Sequence, residues 1–320
     1  MTFTVAARKT DNDLYLGHWN KSTFYGLAMP GGLLLLAAFV LVQTGALSNA
    51  GSSIEILYYA TIAAGILLAL RFRSSRILFA LIFLALSRRA IEFFTQGHVA
   101  HGGPGYTALQ IVAVLLPLDF IVLGIAPEGG LAMPALLPWF GLLLGESIAV
   151  AVICSPDRSE IPFFFHWRFW KDTSAGPLSQ FGQVAFVFAL LMLLIFYLRG
   201  RKTLDAGLFW SLLAALLGFA AGGVGKASPV YLTAAVLIVV SAMIENSYLL
   251  AYHDELTALP GRRAFNEALL HLSEPYTIAM VDVDHFKKFN DRHGHTVGDQ
   301  LLRKVGAALG DVGGITRQHL

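Results

Sequence analysis

The sequence predicts an all-α polytopic membrane bundle of about eight helices, followed by an incomplete α/β domain. Three observations carry this. Hydrophobic residues are 56% of the 320 and charged residues only 14%, against about 25% charged in ordinary soluble domains. Mean hydropathy is +0.62. Charge is also placed unevenly: it is dense from residue 252 onward, and before that it sits mostly between long apolar runs. The chain therefore divides into an N-terminal segment 1–27, a transmembrane block 28–250 and a tail 251–320. The net charge of +2 marks no nucleic-acid patch, so no nucleic-acid partner is expected, and membrane lipid is the first partner implied.

A helix crossing a bilayer needs about 20 apolar residues. Such runs occur at 28–47, 54–70, 72–89, 106–125, 131–153, 181–198, 204–222 and 229–249. The first is too long for a signal-peptide core and has no cleavage site after it, so it reads as an uncleaved anchor. The third is interrupted by Arg88 and Arg89. An even number of spans puts both termini on one side. Placing that side in the cytoplasm gathers Arg8, Lys9, Lys21, Arg71, Arg73, Arg76, Arg199, Arg201 and Lys202 there. The opposite side keeps Arg158, Arg168, Lys171 and Lys226, with Arg88 and Arg89 if the third span ends before them.

Between spans, the 154–180 connection carries the run IPFFFHWRFW at 161–170, which reads as an interfacial aromatic belt, with a ligand platform as the sharper alternative. Arg88, Arg89, Glu92, His98 and His101 mark a second candidate input region, although HVAH lacks a set of metal partners. Asp119, Glu146 and Glu245 are ionisable groups within spans, a costly placement. Asp119 and Glu146 are expected to pair with Arg88 or Arg89 inside the bundle, the alternatives being a polar pocket, a proton path or a place at the membrane edge. Cys154, the single cysteine, reads as a small buried thiol. No repeat relates the two halves, which weakens a transporter reading.

The tail begins DELTALPGRR at 254–263, continues with the helix-like AFNEALLHL, and after Pro275 shows a strand pattern, YTIAMVDVD, at 276–284. HFKKFNDRHGHTVGDQLLRKVGAAL follows. The pattern predicts helix, strand, loop, helix. Asp282 and Asp284 stand at the carboxyl end of the strand, where α/β folds place ligands and where paired carboxylates suit a divalent cation with phosphate, the alternative being a solvated loop. One of the two is expected to face the ligand.

DELTALPGRR resembles the DxLTxLPNRR opening of the GGDEF family, the diguanylate cyclases, with Gly261 in place of Asn. DVDHFKKFNDRHGHTVGDQLLRKVG resembles that family's D(I/V)DxFKxxND–xGH–xGDxxLxxVA stretch. The resemblance covers 254–309, less than half of the family domain, and implies a GGDEF-type, nucleotide-cyclase-like fold for the tail. By that resemblance Asp282 is the metal-binding carboxylate, helped by the Val283 carbonyl, and Mg2+ is the cofactor. Phe286 and Lys287 fall where the family holds the GTP phosphates, and Asn290 and Asp299 where it reads the guanine edge. Asp254 and Arg262 fall in the opening turn, and His295 supports the GH turn.

In the family, two GTP-bound domains meet and form cyclic di-GMP. The implied partners are thus GTP and a second copy of the chain or a related cyclase. The implied location is a bacterial inner membrane, with multiple passes and both termini cytoplasmic. The second acidic ligand belongs to the GG(D/E)EF hairpin, and here Gly313 and Gly314 are followed by Ile315, Thr316 and Arg317. The catalytic set is therefore expected to be truncated and the chain as given inactive, with 254–320 marginally folded. A shifted reading frame, a premature stop and a trimmed chain each fit. A non-enzymatic membrane regulator that pairs with intact cyclases, and a transporter or channel with a vestigial tail, stand as alternatives. The short stretch from Glu245 to His253 between membrane and tail is expected to continue the last helix.

Overall fold

A computed structural model describes residues 26–46, 51–95, 103–155, 176–254, 256–272 and 277–312. The 161–170 aromatic run, His98, His101, the charges at Arg8, Lys9 and Lys21, and residues 313–320 lie outside the described residues. The chain divides into two units, Met1–Ile244 and Glu245–Leu320.

Each predicted span corresponds to a helix: α1 Gly31–Gln43, α2 Gly51–Arg71, α3 Ser75–Thr95, α4 Pro104–Ile125, α5 Met133–Ile153, α6 Gln180–Gly200, α7 Thr203–Ala220 and α8 Ala227–Tyr252. Six of these, α2 and α4 to α8, are long and apolar enough to cross a membrane. The other two depart from the expected eight. α1 has 13 residues, about 20 Å of rise against a hydrocarbon core of about 30 Å. It ends where the Thr44 hydroxyl turns back to the Val40 carbonyl (2.9 Å) and Gly45 takes a left-handed φ of 63°. α3 does not stop at Arg88 and Arg89 but runs on to Thr95, too charged to count as an apolar span.

α3 survives its charges because neighbouring helices meet them. The Arg76 guanidinium donates to Asp205 of α7 at 2.9 Å and to the Leu123 carbonyl of α4 at 2.8 Å. Arg88 pairs with Glu92 one turn on, approaches Glu55 of α2 at 4.0 Å, and lies over the Tyr58 ring 4.3 Å from its centroid. The expected pairing of Asp119 and Glu146 with Arg88 or Arg89 is therefore overturned for Arg88. Asp119 is hydrogen-bonded to Glu146 instead.

α8 is the most buried of the six apolar helices, with α4 and α7 next. Gly207 brings α7 against α8, since a Cβ there would overlap the Ala242 methyl. Gln110 of α4 satisfies the backbone leading into α6: its Nε2 donates to the Pro177 carbonyl (2.7 Å) and its Oε1 accepts from the Ser179 N–H (2.6 Å). Ser179 in turn caps α6 by accepting from the Gly182 N–H at 3.2 Å. Cys154 is buried as expected, and burial pushes its thiol up to about 11. Leu33, Leu36, Ile56, Leu67, Leu137, Leu144 and Phe188 point outward and are exposed. Water would penalise these positions, whereas lipid tails would not.

The second unit contains the end of α8 and three further helices, α9 Arg262–His271, α10 Phe286–His293 and α11 His295–Val312. The predicted strand is not formed among the described residues. Residues 277–283 have no regular structure, and the one extended pairing is an isolated antiparallel bridge between His253 and Pro260. A strand needs a neighbour to take its backbone groups. Without one, Ile278 (52%), Met280 (98%) and Val281 (65%) stand exposed.

Candidate metal and nucleotide site

The opening turn is built around Asp254. Its Oδ1 accepts from the Thr257 N–H and Thr257 hydroxyl, both at 2.8 Å, and from the Leu256 N–H at 3.2 Å. The backbone closes over it, with Asp254 N–H donating to the Leu259 carbonyl (2.9 Å) and Gly261 N–H to that of Tyr252 (2.6 Å). A Cβ on Gly306 would lie 2.8 Å from Thr257 Cβ, so α11 rests against this turn. Asp254 thus organises backbone, and Arg262 is the exposed first residue of α9.

The Thr257 hydroxyl and N–H, donating to the Asp254 carboxylate, hold it below its ordinary value of 3.8. A depressed folded value stabilises the turn above the unfolded pKa, and that stabilisation is lost as pH falls through the folded value. The Thr257 amide resonance is therefore expected to stay constant from neutral pH down to the ordinary Asp range. It should shift only at more acidic pH, as read by NMR of threonine-labelled chain in micelles.

The predicted metal residues sit at the turn before α10. Asp282 is exposed, and its Oδ1 accepts from the Val283 N–H at 2.9 Å. The Val283 carbonyl faces the first turn of α10, accepting from the Phe286 N–H at 3.4 Å, and His285 enters that helix with a left-handed φ of 55°. Phe286 and Lys287 open α10, Asn290 lies one turn on, and Asp299 lies on α11. Lys287 and Asp299 are exposed, while Phe286 and Asn290 are half-buried. Among the described residues no three His, Cys, Asp or Glu come together as a metal cluster.

Sequence reasoning missed the packing of Asn290. Its Oδ1 is buried with no hydrogen-bond partner, and a Cβ on Gly298 would overlap it. Gly298 therefore gives the Asn290 amide its room. The signal was available in the spacing, because eight residues separate an amide from a glycine across the 294 turn. Gly294 closes that turn with φ 84° and donates to the Asn290 carbonyl at 2.8 Å.

Residues 251–315 match the family model "Diguanylate cyclase, GGDEF domain". Over 62 residues the chain is 40% identical to diguanylate cyclase VdcA of Vibrio cholerae, covering 18% of each. Over 66 residues it is 46% identical to diguanylate cyclase DgcP of Escherichia coli, covering 18% of this chain and 19% of that one. Over 70 residues it is 39% identical to the E. coli cyclic di-GMP phosphodiesterase PdeR, covering 20% and 11%. No solved structure matches. The chain spans less than a fifth of the length of these curated relatives. Residues 251–315 are thus similar to a GGDEF domain, in a chain whose described helices include six apolar enough to cross a membrane.

Proposed function

We propose that the chain is a membrane signalling protein of the diguanylate cyclase type. It would lie in a bacterial inner membrane with both termini cytoplasmic, and its helical bundle would govern a GTP-using tail. The match over 251–315, immediately after the apolar helix Ala227–Tyr252, carries this reading. The relatives include cyclic di-GMP phosphodiesterases as well as cyclases, which supports a part in cyclic di-GMP turnover generally. Cyclase activity is favoured over degradation by the resemblance of Asp282, Phe286, Lys287, Asn290 and Asp299 to the cyclase site.

One exposed carboxylate and the neighbouring carbonyl suit Mg2+, which is usually bound through one or two carboxylates with several waters retained. Asp282 and Val283 would hold it. When bound, the metal would neutralise phosphate charge and favour the attacking 3′-alkoxide. Lys287, at the start of α10, would meet phosphate. Asn290 and Asp299 would present the amide and carboxylate that a guanine edge pairs with. Condensing two GTP needs two such domains, so a homodimer or a pairing with a related cyclase would be the working form.

The location is tested by joining green fluorescent protein or alkaline phosphatase after Leu320 and expressing each fusion in a Gram-negative host. The fluorescent fusion is expected to be bright and the phosphatase fusion inactive. The reverse would put the tail where there is no GTP, and the reading would fail.

A further inference from the structure

The bundle contains a cavity that the tail chemistry does not use. It lies among α3, α4 and α5 and has a volume of about 310 Å³, at the small end of ligand pockets of roughly 300–1,000 Å³. Its walls are mainly apolar and aromatic, with Phe83, Phe94, Val112 and Leu143 among them. Two acidic groups break that lining: Asp119 from α4, only 3% exposed, and Glu146 from α5.

These two carboxyls are hydrogen-bonded to each other. Carboxylates only accept, so such a contact requires at least one proton on the pair, which sits within an apolar wall. Among the described residues no cationic side chain forms a salt bridge with either. Arg88 is turned onto Tyr58 and Glu92. Arg89 reaches the lining from α3, but its side chain is 67% exposed and drawn towards Glu92 at 3.7 Å. Acidic groups within an apolar span are costly, and such a pair suits a ligand that donates to both.

The wall formed by α5 can also give. α5 is the least buried of the six apolar helices. It is docked through Trp139, stacked on Phe79 of α3 at 5.2 Å, while a Cβ on Gly141 or Gly145 would meet nothing within 4 Å.

We propose that this cavity binds an organic monocation, a primary ammonium on an apolar body, with the ammonium on the Asp119–Glu146 pair and the body against Phe83, Phe94 and Leu143. The ammonium donates to both carboxyls and offsets the charge of whichever ionises, while the apolar body matches the walls. An inorganic divalent cation would find only the two carboxyls and the hydroxyls of Ser87 and Ser147, short of the oxygen shell such ions take, and an anion would have to sit beside two acids. The site is independent of the tail's chemistry. The same ammonium is available from a free amine or from an ethanolamine lipid headgroup.

The test is titration calorimetry on the full 320-residue chain in maltoside micelles, which carry no amine. The probes are 2-phenylethylammonium, its neutral analogue 2-phenylethanol, and the anion phenylacetate. Saturable one-to-one binding of the ammonium is expected, at least about tenfold tighter than the alcohol, with no binding of phenylacetate. Glu146→Gln should weaken the ammonium by a similar factor. Leu143→Trp, which fills the cavity but keeps both carboxyls, should abolish binding, with thermal unfolding confirming that each variant is folded. Competition by added phosphatidylethanolamine would identify the headgroup as the source, and its absence a free amine. Either result supports an ammonium site. No saturable binding of the ammonium, equal binding of the alcohol, preference for phenylacetate, or indifference to both substitutions would overturn it.

Discussion

Asp205→Ala is expected to destabilise the bundle by about 3–5 kcal/mol, the cost of stripping one partner from a buried ion pair. Asp205 and Arg76 are 2.9 Å apart, with side chains only 7% and 6% exposed. Removing the carboxylate leaves the guanidinium with the Leu123 carbonyl and a long contact to that of Gly124 at 3.5 Å. The pair ties α3, α4 and α7 together at one point, so its loss should be felt by the whole bundle. Asp205→Asn keeps an acceptor and should cost clearly less. Unfolding curves in mixed micelles would measure both, and a loss below about 1 kcal/mol for the alanine variant would mean that water reaches Arg76 and the pair behaves as a surface one.

The second large effect concerns the tail. Residues 1–309 continued by the part of the E. coli DgcP chain that follows its counterpart of residue 309 would join the remaining residues of a diguanylate cyclase to this chain's own Asp282. In that chimera Asp282→Ala is expected to lower cyclic di-GMP formation at least about a hundredfold, as removal of a metal ligand does. Asp284→Ala should cost far less, because Asp284 stands in the turn that leads into α10 and is not the carboxylate that the resemblance assigns to the metal. Equal losses would mean that both carboxylates reach the metal.

Much of the helical bundle is legible in the sequence. Runs of apolar residues long enough for a bilayer locate all eight helices, because in lipid every backbone group must be satisfied within the segment. The limits of α1 and α3 are not legible in the same way. Arg88 and Arg89 look like the end of a span in a hydropathy window, yet α3 continues because Glu55 and Tyr58, some thirty residues earlier, meet Arg88 across the α2–α3 interface. The partner of Asp119 is hidden for a related reason. α4 and α5 are apolar on every face, so pattern alone does not fix the rotation that turns Asp119 towards Glu146.

In the tail, the motif spacing identifies the segment, and the backbone role of Asp254 follows from its place before Leu256 and Thr257. The strand expected over 276–284 rests on an apolar run, but a strand exists only with a partner, and residues 277–283 lack one among the described residues. The fit of Asn290 against Gly298 depends on how α10 meets α11 around Gly294, a tertiary fact outside the reach of local pattern.

The most direct measurement is the cyclic di-GMP content of cells expressing the unsubstituted chimera, read by mass spectrometry against the Asp282→Ala chimera and intact DgcP. The account predicts product well above the Asp282→Ala level and dependent on residues 254–309 of this chain. Product no higher than in the Asp282→Ala strain, while the chimera is present in the membrane and DgcP is active, would contradict the assignment of this tail to cyclic di-GMP synthesis.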